Sequence, residues 1–107
     1  MTFRKVEIQP AARSDLDSYV LWLRAEADIE VAERFARAAI STFDKLAEMP
    51  MVGPVIGSGR ARFIKMRKWK VDGFPRMLIF YRPSADTVAI IRVLHAAQDW
   101  WALLEAE

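Results

Sequence analysis

Eight cations recur between residues 60 and 82, in the stretch "RARFIKMRKWKVDGFPRMLIFYR": Arg60, Arg62, Lys65, Arg67, Lys68, Lys70, Arg76 and Arg82. Trp69, Phe74 and Tyr81 stand among them. Lysine and arginine neutralise phosphates and aromatic rings stack on bases, so the pattern offers a nucleic-acid face. An acidic peptide would satisfy the same charge. A plainer account is equally open: "MLIFY" is an aggregation-prone window, and Arg76 and Arg82 flank it as protective charges would.

His95 is the only histidine. Cleavage of RNA needs a base for the 2′-hydroxyl, cations for the developing phosphorane and an acid for the leaving oxygen. His95 with Tyr81, Arg67 and Arg82 could supply these roles, although the set matches no known motif. The simpler reading of His95 is a buried or half-buried side chain hydrogen-bonded to backbone.

Other chemistry is poorly served. "GPVIGSGR" lacks the lysine and the strand-helix setting of a phosphate loop. The chain has no cysteine, and one histidine with scattered carboxylates makes no metal cluster, so neither metal nor cofactor is expected. No nucleophile elbow occurs. Four tryptophans exceed what one small core needs. Trp22 sits beside Asp15 and Ser18 on the flank of a helix, and Trp100 and Trp101 are consecutive. Either these rings pack at the edge of the core, or they form an apolar strip that another chain covers.

The charge is unevenly spread. Residues 1–59 carry net −2, residues 60–92 carry +7 and residues 93–107 carry −3. The middle third would attract an acidic partner or nucleic acid.

These residues need a frame. At 107 residues with 53% hydrophobic and 28% charged content, a single globular domain spanning 1–107 is expected. No apolar run suits a signal peptide or a membrane span, so the expectation is a soluble cytoplasmic protein. Residues 3–9 read as a short strand, with Val6 and Ile8 on one face, ended by Pro10. Ala12, Leu16, Tyr19, Val20 and Leu23 then recur at helical spacing, with Asp15 and Asp17 near the positive end of the helix. Asp28 offers a cap for a second helix ending near Glu48. Its inner face is Ala32, Phe35, Ala39, Phe43 and Leu46. Strands are predicted over 63–71, 77–82 and 87–94, separated by "DGFP" and "PSAD". In the last, His95 would share a face with Ala89, Ile91 and Val93. The tail suggests a short terminal helix or arm. The result is an α+β domain of order β-α-α-β-β-β. A helical hairpin covers one face of a mostly antiparallel sheet, and the other face is left for the cations or a partner.

Four segments, "EIQPAARSDLDSYVLWL", "MPMVGP", "RKWKVDGFPRMLIFYR" and "VAIIRVLHAAQDW", together resemble the RelE/ParE toxin family, in order and over almost the whole chain. The resemblance implies the toxin of a bacterial type II toxin–antitoxin pair. It also implies a hetero-oligomer with a ParD-like, ribbon-helix-helix antitoxin, through which alone DNA is contacted. RelE-like members cut mRNA on the ribosome, whereas ParE-like members poison DNA gyrase. This chain looks closer to ParE, because the tail offers Trp100, Trp101 and Leu104 where RelE-like toxins carry a catalytic Tyr or His. Gln98 stands where the "LHxxRD" pattern has arginine. On this reading Arg62, Lys65, Arg67, Lys68, Lys70, Arg76 and Arg82 would meet the target, and Trp22, Tyr19, Trp69, Trp100 and Trp101 the antitoxin. A member that only binds antitoxin is the third possibility.

Overall fold

The computed structural model describes residues 4–57 and 63–106. Phe3, Arg60 and Arg62, to which the sequence reading gave roles, lie outside the described residues. The chain runs β1 (Lys5–Ile8), α1 (Pro10–Glu26), α2 (Ile29–Glu48), β2 (Arg67–Val71), β3 (Phe74–Pro83), β4 (Thr87–His95) and α3 (Trp100–Glu105).

Each helix begins where the local chemistry allows. Pro10 occupies the first turn of α1, where its missing N–H costs nothing. Asp28 caps α2, its side chain accepting from the Val31 N–H at 2.8 Å. The predicted inner face of α2 is buried throughout and faces the sheet across one core, with Leu16 and Leu23 of α1. Thr42 is the polar residue in that core. Its hydroxyl donates to Ala38 O and accepts from the Asp72 N–H, tying α2 to the β2–β3 turn.

The sheet order is β1-β4-β3-β2. β1 runs parallel to β4, with Lys5 opposite Thr87 and Ile8 opposite Ile90, while β2–β3 and β3–β4 are antiparallel. "MLIFY" is thus part of a central strand, as the pattern required.

Three expectations are corrected. First, β2 starts at Arg67, not at residue 63. Lys65 takes a left-handed backbone (φ 65°), which breaks the extended run, and Met66 N–H closes a turn on Phe63 O at 3.1 Å. Second, β4 does not alternate evenly. A bulge leaves Ile91 without an opposite residue, since Phe80 faces Arg92 and Tyr81 faces Ile90. Val88, Ile90 and Val93 therefore all join the helix-side core, and Ile91 and Leu94 turn to the other side. His95 follows Val93 rather than Ile91. Third, the second sheet face is not left open. Phe63, Met66, Phe80, Leu94 and Leu104 build a smaller core there, and α3 lies over it.

Candidate functional site

Tyr81 lies at the centre of the loop that follows α2. Its ring is fully buried, its hydroxyl donates to Pro50 O at 2.8 Å, and it accepts from the Gly53 N–H at 3.0 Å. Arg67, opposite Tyr81 on β2, donates through Nη1 to Gly53 O at 2.7 Å. Both polar groups of the Gly53 backbone are thereby taken up. A β-carbon there would lie 2.3 Å from Lys68 O and 2.6 Å from the Tyr81 hydroxyl, so only glycine fits. Past this point the loop runs along β2, with Lys68 N–H on Pro54 O and Ile56 N–H on Met66 O. Burial raises the Tyr81 pKa, against the opposing pull of the Gly53 hydrogen bond and the Arg67 charge.

His95 is elsewhere. It faces Met77 at the start of the β3–β4 pairing, whereas Tyr81 is four residues further along β3, about 13 Å away at strand spacing. Its Nδ1 accepts from the Ala97 N–H at 3.0 Å, and its N–H donates to the Gln98 side chain at 2.7 Å. Gln98, where the related pattern has arginine, therefore closes the turn after β4. His95 is half-buried and hydrogen-bonded to backbone. The four residues considered for RNA cleavage, His95, Tyr81, Arg67 and Arg82, do not converge. Tyr81 and Arg67 instead hold the 50–53 loop, while Arg82 faces Ala89 and donates to Ile64 O at 3.4 Å.

The cations of the hairpin do not form one stripe, because strand alternation separates them. Arg67 and Trp69 lie on the helix side, where the Lys45 ammonium stands 5.8 Å from the Trp69 ring. Lys68 lies on the opposite side, its ammonium 5.2 Å from the Trp100 ring. Lys70 is exposed on the outer strand, and Arg76 is exposed on the far end of β3. Lys65 lies in the turn before β2, beside Arg4 and Arg67.

Of the five aromatic residues considered for the antitoxin, Trp22 is exposed and the other four are half-buried. Trp22 is 55% exposed and stacks on half-buried Tyr19, with ring centroids 5.6 Å apart. The pair borders a shallow cavity that His95, Met77 and Asp15 also line. Trp100 and Trp101 are half-buried on the second core, Trp100 against Phe80 and Trp101 against Phe63. They divide two neighbours between them and form no exposed strip. Trp69 packs against the first core, and its buried indole N–H has no hydrogen-bond partner.

Arg92 was missed. It makes a two-pronged ion pair with Asp15 of α1, both contacts at 2.8 Å, and Asp15 also accepts from the Val93 N–H at 2.9 Å. The sequence signal was available: a single cation inside the apolar run "TVAIIRVL" requires a partner. Asp15 is thus occupied by β4 rather than by the helix terminus. Among the described residues, no three His, Asp or Glu side chains gather as a metal site would require, and no helix is long and apolar enough to cross a membrane.

A family model for the "ParE toxin of type II toxin-antitoxin system, parDE" matches residues 6–100. Among solved structures, the chain is similar to one from the chromosomal ParDE TA system of P. aeruginosa. The two superpose with a TM-score of 0.70 at 14% identity, over 87% of this chain and 96% of that one. No curated protein matches it.

Proposed function

The chain belongs to the ParE toxin family of type II toxin–antitoxin systems, and from that premise we propose that it arrests growth by inhibiting DNA gyrase. Its cognate antitoxin, a DNA-binding protein of the ribbon-helix-helix type, holds it inactive in a cytoplasmic complex. DNA is contacted only through that antitoxin.

The observation that favours gyrase over mRNA is the use made of Tyr81. A phenol that donates to Pro50 O, accepts from Gly53 N–H and is cut off from solvent cannot protonate a leaving group. His95 stands at the other end of the strand pair, with Nδ1 taken by a backbone N–H. A role as nuclease would need these groups side by side. Cations that act by docking carry no such requirement. Exposed Lys70 and Arg76, with Lys68 and Arg82, are the residues offered to the target. Trp22 and Tyr19 offer the antitoxin a rigid apolar anchor.

The test is to add the purified protein side by side to a gyrase supercoiling and DNA-breakage assay and to a translation reaction. Loss of supercoiling with intact mRNA is expected. Unimpaired gyrase at toxin concentrations that arrest growth on expression would overturn the reading.

A further inference from the structure

Opposite its buried face, α2 presents a second face to solvent. Glu33, Arg37, Ile40, Ser41, Asp44 and Glu48 follow one another along it at helical spacing, and all six are exposed. Ile40, in the middle, is apolar and 45% exposed. Around it lies a shallow depression of about 480 Å³, lined by Ala36, Arg37, Ile40, Ser41 and Asp44, all from α2 itself. A single exposed isoleucine is ordinary on a protein surface. The frame around this one is not.

Arg37, Ile40, Ser41 and Asp44 stand at positions i, i+3, i+4 and i+7, the four-residue hole that receives a side chain from a facing helix. Ala36 and Ser41 are small, so a second backbone can approach closely at this level. The charges are placed symmetrically as well. Arg37 and Asp44 lie equally far from the midpoint between Ile40 and Ser41, roughly 5 Å to either side at the helical rise. A two-fold axis through that midpoint brings Arg37 of each copy to Asp44 of the other, and Ile40 of each into the other's hole. Closed pairs of this kind use one patch twice, with residue i on residue j and j on i. A parallel pairing would set arginine on arginine and aspartate on aspartate, so charge selects the antiparallel sense.

We propose that two copies of this chain associate through the outer face of α2, antiparallel, with Ile40 at the centre and Arg37–Asp44 pairs on either side. The inner face of α2 stays on the sheet, so the association requires no change in the core. Packed helices commonly cross at about −50°, which carries the like charges Glu33 and Glu48, further from the axis, away from each other. One helix pair buries less than a standard interface, so the dimer is weak, with a dissociation constant on the order of 100 µM.

The test is sedimentation equilibrium of the purified whole protein, from well below to well above that value, with circular dichroism melts to confirm that each variant folds. The wild-type chain is expected to dimerise reversibly. Ile40→Ser should weaken the dimer at least about tenfold, since both copies lose their central apolar contact. Arg37→Asp and Asp44→Arg should each weaken it by at least about tenfold as well, because each sets like charges together at two places. Mixing these two variants should restore association, since both pairs are then complementary, and adding Ile40→Ser to either partner should abolish it again. A wild-type chain that stays monomeric throughout, a dimer indifferent to the Ile40 and Arg37 changes, or a mixture of the two charge variants that fails to associate would each overturn the proposal. Gyrase inhibition plays no part in these readouts.

Discussion

Asp15 and Arg92, 77 positions apart, bind through both carboxylate oxygens, with side chains only 13% and 14% exposed. In an antiparallel pair, N–H groups point alternately toward and away from the partner strand. The Val93 N–H points away from β3, at a height where β1 has already ended at Ile8. Asp15 therefore supplies the acceptor that a neighbouring strand would have supplied, and Arg92 neutralises it.

Removing one member of such a pair leaves a largely buried charge without its counter-ion. Asp15→Ala is expected to cost about 3–5 kcal/mol in urea unfolding. Asp15→Leu combined with Arg92→Met should recover most of that loss, because the charge disappears from both sides. A loss below about 1 kcal/mol for the single change would show that the pair is dispensable.

Tyr81→Phe leaves the Gly53 N–H and Pro50 O buried without their partner, which costs about 1–3 kcal/mol. The pH dependence follows from the raised pKa of this phenol. Below its ordinary value of about 10, folded and unfolded states both keep the proton and stability is unaffected. Above it, the unfolded chain releases the proton first, so stability falls as pH rises toward the folded-state value. Unfolding free energies measured from pH 8 to 11 should show this fall in the native protein and a smaller one in Tyr81→Phe.

Gly53→Ala should be more damaging than its size suggests. The new methyl group meets Lys68 O, a backbone atom of β2. Either the loop lifts away, losing the Tyr81 and Arg67 contacts together, or β2 shifts. A loss of at least about 2 kcal/mol is expected, by the cost of overpacking and of unpaired backbone groups. Circular dichroism melts would measure it.

His95→Ala should leave growth arrest intact, since the imidazole Nδ1 serves the turn after β4. Colony counts after induction, with protein levels checked by blot, decide this. Loss of arrest by a fully folded variant would return His95 to the list of chemical candidates.

Trp22→Ala should weaken antitoxin binding by at least about 1–2 kcal/mol, as loss of an exposed aromatic anchor does. Calorimetric titration against the antitoxin reads it directly, and an unchanged dissociation constant would place the groove elsewhere.

The helical half of the fold is legible in the sequence because its signals are local. Asp28 caps α2, Pro50 stops the chain after it, and the apolar residues between them recur at one spacing. The strand boundaries are less legible, for physical reasons. Lysine rarely enters the left-handed region, so nothing in the residue type at position 65 announces a turn. The bulge at Ile91 occurs in "TVAIIRVL", which contains no glycine or proline to mark it. Tyr81 and Gly53 meet across 28 positions, and Asp15 and Arg92 across 77. Such pairings depend on strand order, which hydrophobic pattern alone leaves undetermined. The apolar tail reads equally well as an exposed strip or as a cover. Only the sheet face it reaches distinguishes the two, and Phe80 and Phe63 lie on that face.

The pairing of β1 with β4 also has a consequence in time. Lys5 has no strand to join until Thr87 has been made. At bacterial synthesis rates of about 5–20 residues per second, that interval is about 4–16 s. Over that interval α1 and α2 lack the completed sheet that buries their inner faces. A newly made chain therefore lacks its completed sheet for seconds, until its last third is made.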